Sequence, residues 1–291
     1  MQLDTFMNNM LIEEHVKPVI LAALQEDKAN EDVTTLAIFS TNDQAIGTFL
    51  AKENGVVAGL GVVALVFKTI DPSIVFHQLV EDGTVIKKGD RLATVSGSTA
   101  ALLTGERTAL NFLLRMSGIA TVTRRFVDCV DGTGAKILDT RKTVPGLRYI
   151  DKLSVKLGGG QNHRANLSDL FLIKDNHIEA AGSLTEAVMR CVKFRDQKYP
   201  GHQIEVETDT LEQVREAVAL PVDIILLDNM TTAQMKEAVQ IIQGKCKTEA
   251  SGGVNLDTVR AIAETGVDYI SVGALTHSAP AMDISLDLNL V

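Results

Sequence analysis

Apolar residues keep two different rhythms along this chain. In the first part helical and strand-like spacings are mixed. Leu11, Ile12, Val16, Val19, Ile20, Ala23 and Leu24 recur at helical spacing and predict an N-terminal helix, with Pro18 tolerable near a first turn or as a kink. Residues 44–98 read as strands with one helix. Gln44–Glu53 and Val56–Gly59 flank Asn54-Gly55, a dipeptide that favours the primed turns of hairpins, so a hairpin is expected there. Leu60–Ile70 is apolar at helical spacing, and the runs 73–80 and 91–97 read as strands, with Asp82-Gly83 and Lys88-Gly89 marking turns between them. Ser98 or Thr99 can cap a helix reaching about Met116, whose apolar face is Leu102, Leu103, Leu110, Leu113 and Leu114.

After a further predicted helix (Ala120–Val130) the rhythm becomes regular. Strand-like runs end in turn at Asp139, Lys174, Glu207, Asp228, Ser251 and Gly273, with gaps of 35, 33, 21, 23 and 22 residues. Helical patterns at Ile150–Leu157, Ser183–Arg195, Thr210–Leu220, Thr231–Ile242 and Asn255–Glu264 follow most of them. Repeated βα units with short linkers predict a parallel sheet, and six predict a closed or nearly closed barrel. The expected architecture is an N-terminal α/β sandwich domain over residues 1–117 and a C-terminal, open or incomplete parallel α/β barrel over 118–275. The tail 276–291 is expected to pack back on the first domain.

Composition narrows the function. The 291 residues are 45% hydrophobic and include no run of eighteen apolar residues, so a membrane span is not expected. The polar N-terminus MQLDTFMNNM does not read as a secretory signal. Cys129, Cys191 and Cys246 are widely spaced, form no metal-binding pattern and suit reduced thiols in a cytoplasmic protein. The net charge of −9 argues against a general nucleic-acid binder. Against that background, Asp139–Ile178 holds seven Lys or Arg and four Asp, together with His163 and His177. A basic island in an acidic protein fits a small, highly anionic ligand. Its cations follow strand-like runs (Arg141-Lys142, Lys174) or the glycine turn 158–160 (His163-Arg164), the places where barrel active sites are built. Ser251-Gly252-Gly253 and Gly273-Ala274 end the last two strands, where glycines let backbone N–H groups approach a phosphate and a following helix offers its positive end. Glu207 and Asp228 also end strands; they are either helix caps or acceptors for sugar hydroxyls and Mg²⁺. Glu205, two residues earlier, shares the barrel-facing direction and is the second choice to Glu207.

DTRKT (139–143), GGGQNHR (158–164) and KDNH (174–177), in this order, resemble the quinolinate phosphoribosyltransferase family. The resemblance extends through ERTALNFLLRMSGIAT (106–121), LLDN (226–229), ASGG (250–253) and the run 271–286. One departure is Glu31, which stands where the family's acidic turn has glycine. The resemblance implies transfer of phosphoribosyl from phosphoribosyl pyrophosphate to quinolinate with loss of CO₂, as in NAD biosynthesis. It further implies Mg²⁺ carried mainly with phosphoribosyl pyrophosphate, and a homodimer in which Arg107 reaches a second subunit's site. On that reading Arg141, His163, Arg164 and Arg107, with Thr140 of DTRKT, serve quinolinate, and Lys142 and Lys174 stand between the dicarboxylate and the leaving diphosphate. Glu207 and Asp228 serve the ribose or metal, and Ser251, Gly252, Gly253 and Gly273 the 5′-phosphate. Two other readings compete. A paralogue with a different acceptor would share the fold but differ in the Arg141/His163/Arg164 pocket. A lipoyl- or biotinyl-like carrier would use residues 74–98, yet no lysine there has the flanking tripeptide such a tip needs.

Overall fold

Two main sheets of different construction organise the chain, seen in a computed structural model that describes residues 2–40 and 42–291, with side chains from residue 13 onward. The first compact unit holds residues up to Arg124, Thr143–Gly159 and Ser278–Val291; the second holds Arg125–Lys142 and Gly160–His277. The predicted N-terminal helix spans Gln2–Glu26 with Pro18 inside it, and buries Val16, Ile20 and Leu24. Leu11 and Ile12 lie outside the described side chains. Glu31 closes a short 3₁₀ turn, and the left-handed residue there is Lys28 (φ 50°). Asp32 then caps a helix over Val33–Ile38 through the Thr35 N–H.

In the first unit the strands are β1 (Gln44–Ala51), β2 (Gly55–Val56), β3 (Val75–Gln78), β4 (Val85–Ile86) and β5 (Arg91–Ser98). The expected hairpin at Asn54-Gly55 does not form. β1 pairs with β5, and the strand after the turn, β2, pairs with β4. The reason is local: the Asn54 side-chain Oδ1 accepts from Lys88 N–H, and Val56 N–H donates to Thr121 Oγ1, so both flanks are already engaged elsewhere. The helix Leu60–Ile70 forms as predicted and packs Phe67 edge-on against Phe49 at 6.4 Å. The two predicted helices before and after Gly118 are one, Thr99–Cys129. Gly118 serves packing there, because a Cβ at that position would run into the Pro280 carbonyl.

The second unit carries β6 (Lys136–Leu138), β7 (Phe171–Ile173), β8 (Ile204–Thr208), β9 (Ile224–Asp228), β10 (Lys247–Ser251) and β11 (Tyr269–Ser271). These form one parallel sheet in the order β6-β11-β10-β9-β8-β7, with β6 and β7 as edges, so the barrel is open. Strands such as β9 (IILLD) are buried along nearly their whole length, as parallel strands covered on both faces must be. The last strand, β12 (Ile284–Leu290), returns to the first unit and pairs antiparallel with β1.

One predicted barrel helix belongs elsewhere. Arg148–Leu157 counts with the first unit, where Asp151 takes a two-pronged contact from Arg115 (Nε–Oδ1 2.9 Å, Nη2–Oδ2 2.8 Å). The 35-residue gap after β6 is therefore not an ordinary βα unit. The helix expected at Asn255–Glu264 is also shorter, Val259–Ala263, because the Asn255 side chain holds a turn by accepting from the N–H groups of Asp257 and Thr258.

Candidate active site

The C-terminal ends of the parallel strands surround a cavity of about 810 Å³. It is lined by Thr140, Arg141, Lys142, His163, Arg164, Lys174, Glu207, Asp228, Ser251, Gly252, Gly253 and Gly273. Every site residue named from the sequence is thus here except Arg107 and the second-choice Glu205. That arginine lies on the long helix of the first unit, beside a different hollow of about 640 Å³ that Asn111 and Arg115 also line.

The chain reaches this geometry by short-range means. The segment after the glycine turn runs beside β6: Gln161 N–H donates to the Ile137 carbonyl, and Asp139 N–H to the Gln161 carbonyl. This sets Asn162 and His163 over Asp139, which is fully buried and accepts from the Asn162 amide and the His163 N–H. His163 then approaches two further acids. Its Nε2 lies 3.1 Å from Glu205 Oε2 and 3.5 Å from Glu249 Oε2, while its Nδ1 accepts from the Arg164 N–H at 2.7 Å. Burial and the neighbouring Arg141 pull the Arg164 guanidinium below its ordinary pKa. On the far side of the pocket, Lys142 N–H donates to Thr140 Oγ1, and the Lys142 carbonyl accepts from Thr276.

Lys174 Nζ stands 3.2 Å from Glu207 Oε2 at the rim. Neither Glu207 nor Asp228 caps a helix. The caps after β8 and β9 are Thr210 and Thr231, whose hydroxyls accept from Gln213 and Gln234 N–H. The carboxylates are left to the cavity, Asp228 being steadied by the Asn229 side-chain amide at 2.6 Å. At the end of β10, Gly252 and Gly253 both take left-handed backbone (φ 94° and 61°), and a Cβ on Gly252 would overlap the Asn229 side chain. Because the next helix starts only at Val259, this turn offers the cavity backbone N–H groups and not a helix end.

Glu205 does not face the rim with Glu207. It is fully buried and is held with His163 and Glu249 beneath the opening. Sequence reasoning missed Glu249, Ser271 and His277, which line the same cavity. Glu249 and Ser271 stand two residues before Ser251 and Gly273, so strand parity could have found them. His163, Glu205 and Glu249 are also the grouping of possible metal-ligand atoms among the described residues, all within 4.8 Å of one another.

An open parallel α/β barrel with cations, paired carboxylates and glycine turns at one set of strand ends is an enzyme scaffold for a phosphorylated, anionic substrate pair. Known proteins agree. The N-terminal domain profile of quinolinate phosphoribosyl transferase matches residues 32–117, and the C-terminal domain profile residues 119–287. A chloroplastic nicotinate-nucleotide pyrophosphorylase (carboxylating) of Oryza sativa subsp. japonica is 43% identical over 94% of this chain and 78% of its own length. A probable nicotinate-nucleotide pyrophosphorylase (carboxylating) of Bacillus subtilis is 43% identical over 91% and 90%. The crystal structure of NadC from Streptococcus pyogenes superimposes with a TM-score of 0.91 at 40% identity, covering 96% of this chain and 98% of that one. The chain belongs to the quinolinate phosphoribosyltransferase family.

Proposed function

We propose that this protein transfers the phosphoribosyl group of phosphoribosyl pyrophosphate to the ring nitrogen of quinolinate and releases CO₂, giving nicotinate mononucleotide and diphosphate. The observation that carries this reading is the gathering of Arg141, Lys142, Arg164 and Lys174 with Glu207, Asp228 and two glycine turns around one cavity. The ring nitrogen attacks ribose C1 as diphosphate leaves, through a state with positive charge on the sugar. Positioning and charge stabilisation suffice for this step. Arg141 and Arg164 suit the two carboxylates of quinolinate, and Lys142 and Lys174 suit the diphosphate. The ring, cationic once alkylated, stabilises the electron pair left by the breaking C–CO₂ bond, and that carbon then takes up a proton from water, so no further electron sink is needed.

Glu207 and Asp228 offer hard oxygen donors and have no capping duty, which suits Mg²⁺ bound jointly with diphosphate oxygens. The metal would neutralise the departing charge. A cytoplasmic setting fits the three free, partly buried cysteines. No helix among the described residues is long and apolar enough to cross a membrane. Incubation with quinolinate, phosphoribosyl pyrophosphate and Mg²⁺ should release CO₂ and mononucleotide in equal amounts; neither product appearing would refute the activity.

A homodimer with shared sites completes the reading, each Arg107 serving its partner's cavity. Its support is that Arg107 belongs to the first unit and lies outside the cavity-lining set. Arg107→Ala and Lys142→Ala homodimers should each be nearly inactive. In mixed dimers one site is intact and the other carries both lesions. Random exchange makes about half the dimers mixed, so about a quarter of wild-type activity should return. No recovery after verified exchange would place Arg107 outside any partner's site.

A further inference from the structure

Beneath the proposed acceptor pocket lies a pair of acids to which that chemistry assigns no task. Glu205 on β8 and Glu249 on β10 sit two residues before Glu207 and Ser251, and they are 0% and 1% exposed. Glu249 lines the cavity and Glu205 lies behind it, both drawn toward His163 Nε2. The imidazole cannot neutralise them. One imidazole could bring no more than one positive charge against two carboxylates, and its Nδ1 accepts from the Arg164 N–H at 2.7 Å, which leaves the ring proton on Nε2. For the same reason a metal ion is a poor occupant, since it would need the lone pair that Nε2 lacks. Neither oxygen of Glu205 has a hydrogen-bond partner, although His163 comes close to one of them. Two adjoining buried carboxylates against one imidazole cannot both stay ionised.

The surrounding groups point the same way. Burial, then the charge of Glu205, pushes Glu249 up to about 8, with His163 and the Ser271 hydroxyl on β11 pulling against them and Asp139 below β6 adding to the rise. Arg141 and Arg164 stand on the cavity wall, and Lys142 and Lys174 at its rim. We propose that Glu249 stands protonated in the floor of the cavity and acts as a positioning and specificity residue for the acceptor. Its O–H donates to an anionic group of the acceptor, and a dianionic acceptor binds together with that proton. Ionised, the same residue would face the dianion with like charge. The inference rests on the reading of this cavity as a dicarboxylate site.

The test is calorimetric titration of the full-length protein with quinolinate, in buffers of different ionisation enthalpy, between pH 7 and 9. The wild type should take up protons on binding, more so as pH approaches 8. Above about pH 8 its affinity should fall by up to about tenfold per pH unit, the limit for loss of one required proton. Glu249→Gln, an uncharged stand-in for the protonated acid, should bind without that uptake and with a flat profile. Glu205→Gln, which removes the neighbouring anion, should move the fall in affinity to lower pH and keeps the test open if the Glu249 variant fails to fold. Binding by the wild type without proton uptake, or equal uptake by wild type and Glu249→Gln, would overturn the inference alone. No quinolinate binding at all would overturn the dicarboxylate reading beneath it.

Discussion

The two units of this protein differ in the carboxylates they bury: both hold matched ones, Asp139 in the second among them, but the second also holds a pair that is not matched. In the first, Asp151 has no exposed surface, and each of its oxygens receives a guanidinium N–H from Arg115, at 2.9 and 2.8 Å. Asp82 is treated alike: it accepts backbone N–H bonds from Gly59 and Leu60 at 2.7 and 2.9 Å, and so holds the start of the helix Leu60–Ile70. In the second unit, Glu205 and Glu249 share one imidazole, and the oxygens of Glu205 have no hydrogen bond. Glu207 and Asp228 stand shortly before helices, yet threonines cap those helices. An acid whose oxygens are all matched is part of the fold. An acid buried or aimed without a matching partner costs stability, and it persists where a ligand repays it.

The largest effect should come from breaking the matched pair. Arg115→Ala leaves Asp151 buried without its guanidinium and should cost about 3–5 kcal/mol in urea denaturation. Removing both members, as Arg115→Ala with Asp151→Ala, should cost less than the arginine change alone, since no stranded charge remains. A double variant as damaged as the sum of its parts would show that the two side chains act separately.

The unmatched pair should answer with the opposite sign. Glu249 is raised from 4.5 to about 8, so between those values the folded chain holds a proton that the unfolded chain has released. Stability should therefore fall as pH rises through that window and level off above it. Glu249→Gln lacks this penalty. Its urea midpoint should draw level with or above wild type as pH rises from 5 to 8, and the difference should stop growing beyond. Parallel pH profiles for the two proteins would remove Glu249 as the titrating group.

The sequence revealed the rim of the site far better than its floor. Strands that end in Asp139, Lys174, Glu207, Asp228, Ser251 and Gly273 are short apolar runs closed by a polar residue or glycine, and that boundary is visible in one dimension. Glu249 is hidden because a carboxylate inside KTEAS looks like half of an exposed alternation, and only the pairing of β10 between β9 and β11 buries it. The helix Arg148–Leu157 has the spacing of any amphipathic helix. Its membership in the first unit depends on Arg115, which is 36 residues from Asp151. Asn54-Gly55 misled for a related reason: turn propensity is a local preference, and the partners of β1 and β2 were settled by β5 and β4. What could be read was set within a few residues; what could not was decided by partners distant in sequence.

The smallest effect bears on the rim, where stabilising and functional residues stand three apart. Thr231 accepts the Gln234 N–H, and the Gln234 side chain returns to the Thr231 N–H at 2.9 Å, a reciprocal cap at the head of the helix Thr232–Ile242. Thr231→Ala should therefore cost about 1 kcal/mol of stability. The Asp228 carboxylate accepts from the side-chain amide of the adjacent Asn229, a purely local contact, so Asp228→Ala should fall within about 0.5 kcal/mol of wild type, the range for positions without a structural task. Turnover should sort the two variants the other way: Asp228→Ala should impair use of phosphoribosyl pyrophosphate and Mg²⁺, while Thr231→Ala keeps activity wherever it stays folded. Should Asp228→Ala lose as much stability as Thr231→Ala and still turn over normally, Asp228 would belong with the matched acids of the first unit, and the division between acids that hold the fold and acids that serve the cavity would fail at the rim.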